Sequence, residues 1–126
     1  MKILDAGAVV ELLIGAVDPL QLGDEDLAAP HLLDSEVTHA LRGLVLRGGL
    51  TEEEGAAAMA DFGRLDLTRY PAEGLRDRMW ALRRNLSAYD ATYVALAELT
   101  EATALLTTDA RLASAPGPTC RIELLR

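Results

Sequence analysis

Short apolar runs alternate with longer segments of helical periodicity along this chain. Residues 2–4 and 103–107 are compact apolar runs typical of buried strands, and residues 65–70 alternate between apolar and polar side chains. A last strand is predicted over residues 120–125. Because strands that alternate with helices imply a parallel sheet, the pattern predicts an α/β fold with helices on both faces of the sheet.

The ends of the predicted helices are marked by capping residues and glycines. Gly15 closes the first helix, Gly48 and Gly49 follow the second, and Thr51 with Glu54 has the spacing of a capping box. Helices are predicted from about residue 8 to residue 15 and over residues 31–47, 51–64, 72–85, 87–99 and 109–113. The polar stretch over residues 16–27 is predicted to be a loop with room for one helical turn.

Two of these helices carry apolar stripes with large side chains. In the segment 72–85, Leu75, Met79 and Leu82 are predicted to point inward, and Trp80 is also assigned to the core. The helix over residues 87–99 is predicted to bury a stripe that ends at Leu99. Neither Met79 nor Trp80 is expected to contact a ligand.

Bulk composition limits the compartment and the class of protein. The 126 residues suit one domain over residues 1–126, and the single cysteine, Cys120, excludes an internal disulfide. A reducing, cytoplasmic setting is therefore expected. No uncharged apolar run approaches the ~18 residues that a membrane span needs.

Charge gives a mixed indication about nucleic acids. The net charge of −8 argues against a nucleic-acid binder if it is taken alone. Eleven of the twelve basic residues, however, are arginine, whose planar fork matches phosphate oxygens. Four of them fall within nine residues: Arg76, Arg78, Arg83 and Arg84. A solvated helix face and a phosphate-binding face both explain this cluster.

Two acidic residues follow closely on predicted strands. Asp5 comes after the strand over residues 2–4, and Asp109 comes after the strand over residues 103–107. Ligands of parallel sheets bind beyond the carboxyl ends of the strands, where both residues are expected. Each residue also stands where a helix needs an N-cap, so capping alone explains either one.

Two further acids complete the candidate set. Asp90 stands three residues after Ser87, a spacing that a capping box also produces. Glu36 lies in or beside the apolar stripe of its helix, where a buried carboxylate needs a partner or a metal. Asp34 is a rival, but it can cap the helix or face solvent, so Glu36 is preferred. Oxygen ligands without Cys or His select Mg²⁺ or Mn²⁺, which can clamp a phosphodiester.

The ordered set of these motifs resembles a known family. The segments are Ile-Leu-Asp-Ala at 3–6, residues 29–37, Tyr-Asp-Ala-Thr-Tyr-Val-Ala-Leu-Ala at 89–97, and Leu-Leu-Thr-Thr-Asp at 105–109. Together they resemble PIN-domain ribonucleases, specifically the toxins of VapC-type toxin–antitoxin pairs. The resemblance implies a catalytic and metal-binding set of four acids: Asp5, Glu36, Asp90 and Asp109.

The resemblance also implies Mg²⁺- or Mn²⁺-dependent cleavage of RNA, a homodimer, and a cognate antitoxin that occupies the active-site groove. Thr107 matches a polar position of the family and is expected to support the ligands. Gly7 departs from the family, which often carries Ser or Thr there. The departure puts the tightness of metal binding in question.

Two other functions fit part of the pattern. A phosphoacceptor signalling domain also gathers acids around Mg²⁺, but it needs a lysine at a strand end, and the one lysine, Lys2, stands at the start of a strand. A non-catalytic PIN-like module that binds proteins is the second alternative. Gly7 and the acidic net charge favour that alternative.

Overall fold

Five short parallel strands form one sheet in the computed structural model, which describes residues 1–126. The strands are β1 (Lys2–Leu4), β2 (Leu27–Pro30), β3 (Leu67–Tyr70), β4 (Ala104–Thr107) and β5 (Ile122–Leu124). Their order across the sheet is β3-β2-β1-β4-β5, and every pairing is parallel. The predicted α/β fold is confirmed.

Six helices connect the strands. They are α1 (Ala6–Leu13), α2 (Leu32–Leu46), α3 (Glu52–Arg64), α4 (Arg76–Ala81), α5 (Ala88–Leu99) and α6 (Ala110–Ser114). Because crossovers between parallel strands are right-handed, α1 to α3 cover one face of the sheet and α4 to α6 cover the other. None of the helices combines the length and the hydrophobicity needed to cross a membrane.

The strand order reverses at the centre of the sheet. After β1 the chain moves towards β2, whereas after β4 it moves in the opposite direction towards β5. Ile3 is in register with Leu105, and the backbone N–H of Asp5 donates to the Leu106 carbonyl at 3.2 Å. Since ligands bind where the strand order reverses, the carboxyl ends of β1 and β4 are the expected position of a site.

The core is one apolar cluster that the helices and the sheet share. It contains 29 buried hydrophobic residues. Only three polar or charged residues are buried, namely Asp5, Thr92 and Thr107. Asp5 and Thr107 both lie at the carboxyl ends of the two central strands, so the polarity of the interior is concentrated there.

The strand β2 was not predicted, because its sequence lacks the residues typical of strands. Ala28 and Ala29 have low strand propensity, and Pro30 has no N–H to donate to a ladder. Both alanines are nevertheless fully buried, and they pair with β1 on one side and β3 on the other. Tertiary packing therefore decides the conformation of this segment.

The predicted helix over residues 72–85 is shorter and divided. A single 3-10 turn over Glu73–Leu75 leads into the six residues of α4, and turns follow. Leu75 and Leu82 are buried as predicted, and Met79 is partly buried against the core. The strand predicted over residues 65–70 begins only at Leu67 because Leu65 ends α3.

Two predicted core residues are in fact exposed. Trp80 is 69% exposed, because α4 packs through the residues that flank it and presents this side chain to solvent. Leu99 is 66% exposed, because it is the last residue of α5 and lies beyond the buried run at 91–97. The assignment of both residues to the core is wrong.

Candidate active site

Asp5 is the only charged residue buried in the protein. It begins α1 as the N-cap, with Oδ1 accepting from the Ala8 amide at 2.8 Å, and Oδ2 accepts a hydrogen bond from the Thr107 hydroxyl. It is 8% exposed and forms no ion pair. Burial raises the pKa of Asp5 to about 6, the two hydrogen bonds oppose this, and the charges of Asp90 and Asp109 add to it.

Thr107 joins the ends of the two central strands. Its side chain is fully buried, and its hydroxyl both donates to Asp5 and accepts from the Asp109 amide at 3.0 Å. A threonine two residues before Asp109 thus fixes the Asp5 carboxylate and the start of α6 together. The family resemblance predicts that Thr107 supports the ligands, and its hydrogen bond to Asp5 is the contact that this prediction requires.

Asp109 combines a capping role with a place at the site. Its Oδ1 accepts from the Arg111 amide at 2.9 Å and lies 3.7 Å from the Arg111 guanidinium. Capping therefore does explain part of its presence, as the sequence alone allowed. Oδ2 has no hydrogen-bond partner in the protein, which leaves it available to a ligand.

Asp90 and Asp109 both line a depression of about 410 Å³. The Ser87 hydroxyl accepts from the Asp90 amide at 3.1 Å, but the return bond that would complete a capping box does not form. Burial, followed by the charge of Asp109, raises the pKa of Asp90. Helix capping therefore explains Ser87, whereas the Asp90 carboxylate takes no part in the cap and is available to a ligand.

Glu36 joins the other acids through a tyrosine. Tyr93 is 2% exposed, and its hydroxyl donates to Glu36 Oε1 at 2.7 Å. Burial and then the Glu36 carboxylate raise the pKa of Tyr93, with smaller contributions from the charges of Asp5 and Asp90. The sequence did not single out Tyr93. The available signal was a hydroxyl in a continuous buried run, three residues after Asp90.

Asp34, the rival to Glu36, belongs to a different contact. Arg69 of β3 holds it in a bidentate ion pair, with Nε to Oδ2 at 2.7 Å and Nη2 to Oδ1 at 2.9 Å. The pair lowers the pKa of Asp34. This carboxylate therefore fastens an edge strand to α2, which supports the preference for Glu36.

The acids do not form a ready-made metal cage. No three Asp, Glu, His or Cys side chains converge tightly enough for that. Asp5, Asp90 and Asp109 are close enough to influence one another's ionisation, and Glu36 is linked to them through Tyr93. Because Mg²⁺ usually keeps several waters and takes only one or two carboxylates, this open oxygen set fits the ion. Asp5 is also a buried carboxylate without a cation partner, and a bound metal ion would compensate its charge.

The space beside Gly7 is not empty. A Cβ atom at Gly7 would lie 3.1 Å from the Thr108 hydroxyl oxygen and 3.8 Å from Asp5 Oδ1. Thr108 thus places a hydroxyl next to the position where the family often has that of Ser or Thr. Although Gly7 has no side chain, the Thr108 hydroxyl still lies on this side of the site.

The one lysine lies away from the acids. Lys2 donates to the Leu22 carbonyl at 3.2 Å, near the amino end of β1. The acids lie at the opposite, carboxyl end of the strands. The arrangement required of a phosphoacceptor domain is therefore absent.

Comparisons with known proteins identify the family of this chain. The PIN domain family matches residues 2–118. Ribonuclease VapC9 of Mycobacterium tuberculosis is 43% identical and covers 99% of this chain and 98% of its own length. Ribonuclease VapC1 of the same species is 45% identical, over 98% of this chain and 97% of its own length.

Solved structures show the same fold. PAE2754 from Pyrobaculum aerophilum has a TM-score of 0.69 at 26% identity, over 90% of this chain and 84% of that protein. VapC20 of M. tuberculosis, described as a Sarcin-Ricin loop cleaving toxin, has a TM-score of 0.65 at 16% identity, over 90% of this chain and 94% of that protein. The chain belongs to the PIN-domain family, among the VapC-type ribonucleases.

Proposed function

We propose that this protein is a divalent-metal-dependent endoribonuclease that acts as the toxin of a toxin–antitoxin pair. The observation that carries the proposal is Asp5. It is a buried carboxylate without a cation partner, at the carboxyl ends of β1 and β4, and the charges of Asp90 and Asp109 raise its pKa further. Relatives named as ribonucleases, which match nearly the whole chain, support the choice of RNA as the substrate.

The metal-binding residues would be Asp5, Asp90 and Asp109, with Glu36 completing the set. Mg²⁺ or Mn²⁺ bound there would neutralise charge on the scissile phosphate and lower the pKa of the attacking water. Thr107 holds the Asp5 carboxylate in place, and Tyr93 does the same for Glu36.

Arg111 is suited to contact the substrate at this site. It is 95% exposed and lies beside Asp109. Its guanidinium is therefore free to approach an RNA phosphate at the rim of the depression.

A cleavage assay with labelled RNA tests the activity. Cleavage is expected in the presence of Mg²⁺ or Mn²⁺. It should vanish in EDTA and return when the metal is restored. Asp5→Asn should be inactive, whereas Asp24→Asn should cleave as the parent does, because Asp24 is exposed and lies outside the site. Cleavage that persists in EDTA or in Asp5→Asn would reject the metal mechanism. A metal-loaded parent without any cleavage would favour the non-catalytic, protein-binding alternative.

The partners are proposed on the family resemblance together with apolar surface. Leu46 and Met59 are exposed along a groove between α2 and α3, which Leu41, Val45 and Ala56 also line. Exposed apolar grooves of this kind suit protein partners, here a second copy of the chain and a cognate antitoxin. A monomer in light scattering at tens of micromolar would count against the dimer. Co-purification with the product of a neighbouring gene would test the antitoxin.

A further inference from the structure

The single tryptophan of the protein lies on the surface beneath an arginine. Trp80 is 69% exposed, and the guanidinium carbon of Arg83 lies 4.5 Å from the centre of its ring. Arg83 Nη1 also donates to the Trp80 carbonyl at 2.9 Å, which holds the guanidinium over the ring. Arg83 covers one face of the indole, and much of the remaining ring surface is open to solvent.

The arginines of this segment differ in their partners, and one acidic residue, Asp77, lines the same depression as Trp80 and Arg83. Arg76, Arg83 and Arg84 form no ion pair. Arg78, by contrast, is held by Glu98 at 2.6 Å and donates to the Gly117 carbonyl. The predicted arginine cluster therefore divides into one member that is paired with an acid and three that are not. Residues 76–84 hold four arginines and one acid, Asp77, in a chain whose net charge is −8, so the sign of the charge reverses locally.

The stacked pair adjoins the acidic site. A depression of about 670 Å³ is lined by Trp80, Arg83, Leu86 and Ser87, among others, and Leu86 and Ser87 also line the depression that holds Asp90 and Asp109. The two depressions thus share residues 86 and 87 of their lining, which places the stacked pair beside the acids. A volume of this size falls within the range of roughly 300–1,000 Å³ that is usual for ligand sites.

We propose that Trp80 and Arg83 form a subsite that stacks an unpaired nucleobase of the RNA, next to the phosphate that is cleaved. The proposal rests on the proposed ribonuclease function and specifies its substrate class. Exposed aromatic rings and arginine planes stack bases that are free of a duplex, while nearby arginines neutralise the backbone. A base inside a duplex has both faces covered by its neighbours, so single-stranded or looped RNA is the substrate that this surface fits.

Because Trp80 is the only tryptophan, its fluorescence reports on this subsite directly. The parent in EDTA, where no cleavage is expected, is titrated with a short single-stranded RNA and with the same sequence as a duplex. Stacking should quench the fluorescence with the single strand and much less with the duplex. Anisotropy of labelled RNA should show that Trp80→Ala weakens binding about tenfold, a typical effect of losing one stacked base. Trp80→Phe should retain most of the affinity.

A matched control comes from another exposed apolar residue. Leu99 is 66% exposed and follows Asp90 by nine residues along α5, about 13 Å away. Leu99→Ala should bind RNA as the parent does. If Trp80→Ala also binds and cleaves RNA as the parent does, the subsite is rejected while the ribonuclease function stands. If the parent neither binds nor cleaves RNA, both are rejected. Unchanged RNA affinity together with conversion of a dimer to a monomer would identify the Trp80 surface as a protein interface and reject the subsite.

Discussion

The Tyr93 hydroxyl donates a 2.7 Å hydrogen bond to Glu36 Oε1 and thereby links α5 to α2 at the rim of the sheet. Tyr93→Phe removes this bond and keeps the buried ring. The free energy of unfolding should fall by only about 1 kcal/mol, the net value of a typical hydrogen bond. The affinity for Mg²⁺, measured by calorimetry, should fall because Glu36 loses its fixed orientation. Unchanged Mg²⁺ affinity would show that Glu36 does not depend on Tyr93.

Thr107→Val tests the buried hydroxyl that serves two partners. The variant keeps the shape of the side chain but leaves Asp5 Oδ2 and the Asp109 amide without this partner. The free energy of unfolding should fall by about 1–3 kcal/mol, the range for an unsatisfied buried polar group. The pKa of Asp5 should rise above about 6, because the Thr107 hydrogen bond lowers it. Denaturant melts at several pH values measure both effects, and an unchanged pH profile would contradict the second.

Asp5 should make the metal-free protein less stable as the pH rises. Its pKa in the folded protein is about 6, above the ordinary value of 3.8, so the folded state binds the proton more tightly than the unfolded state does. The stability that this proton provides is fully present below about pH 4 and is lost as the pH rises through 6. A shift of this size amounts to about 3 kcal/mol. Melts in EDTA between pH 4 and 7 should show the decline.

Asp5→Asn should flatten most of that decline. The remaining slope would come from Asp90, whose pKa is also raised. At pH 7 without metal, the variant should be at least as stable as the parent, since Asn caps a helix about as well as Asp. Mg²⁺ at a hundred times its Kd should stabilise the parent by about 2.7 kcal/mol and the variant by less. If Asp5→Asn keeps the parent's dependence of stability on pH and its stabilisation by Mg²⁺, the group that titrates and binds the metal is a residue other than Asp5.

Gly7 and Thr108 should be energetically coupled. A side chain at Gly7 would begin 3.1 Å from the Thr108 hydroxyl, closer than most real contacts, so Gly7→Ser should cost about 1 kcal/mol despite the better helix propensity of Ser. Thr108→Ala opens that space, and the double variant should recover the loss. A double-mutant cycle of unfolding free energies measures the coupling. Additive effects of the two substitutions would contradict it.

The sequence predicts the central strands and the position of two acids well, for a local reason. The strands β1 and β4 are compact apolar runs, and Asp5 and Asp109 follow them closely, so no long-range information is needed. The strand β2 depends on its neighbours instead. Ala28 and Ala29 become a strand because β1 and β3 flank them, which no local pattern records.

The contacts that organise the site were less predictable. Glu36 and Tyr93 are 57 residues apart, and only the fold brings them into contact. The orientation of Trp80 depends on which side of a six-residue helix packs inward, and so short a helix has too few turns to define a stripe. The sequence therefore predicts the candidate site residues better than it predicts the contacts that orient them.

The proposed metal site and the proposed base-stacking subsite lie in parts of the fold that differ in how deeply they are buried. Thr107 belongs to β4 and Asp5 follows directly on β1; in these buried central strands the backbone bonds are expected to be among the last to open. Trp80 belongs to the six-residue α4, which contains no buried residue. Exposed positions of α4 such as Trp80 can therefore be substituted without disturbing the strands. If the proposed subsite binds RNA, substitutions there would change which RNA is preferred while Asp5 and Thr107 stay in place.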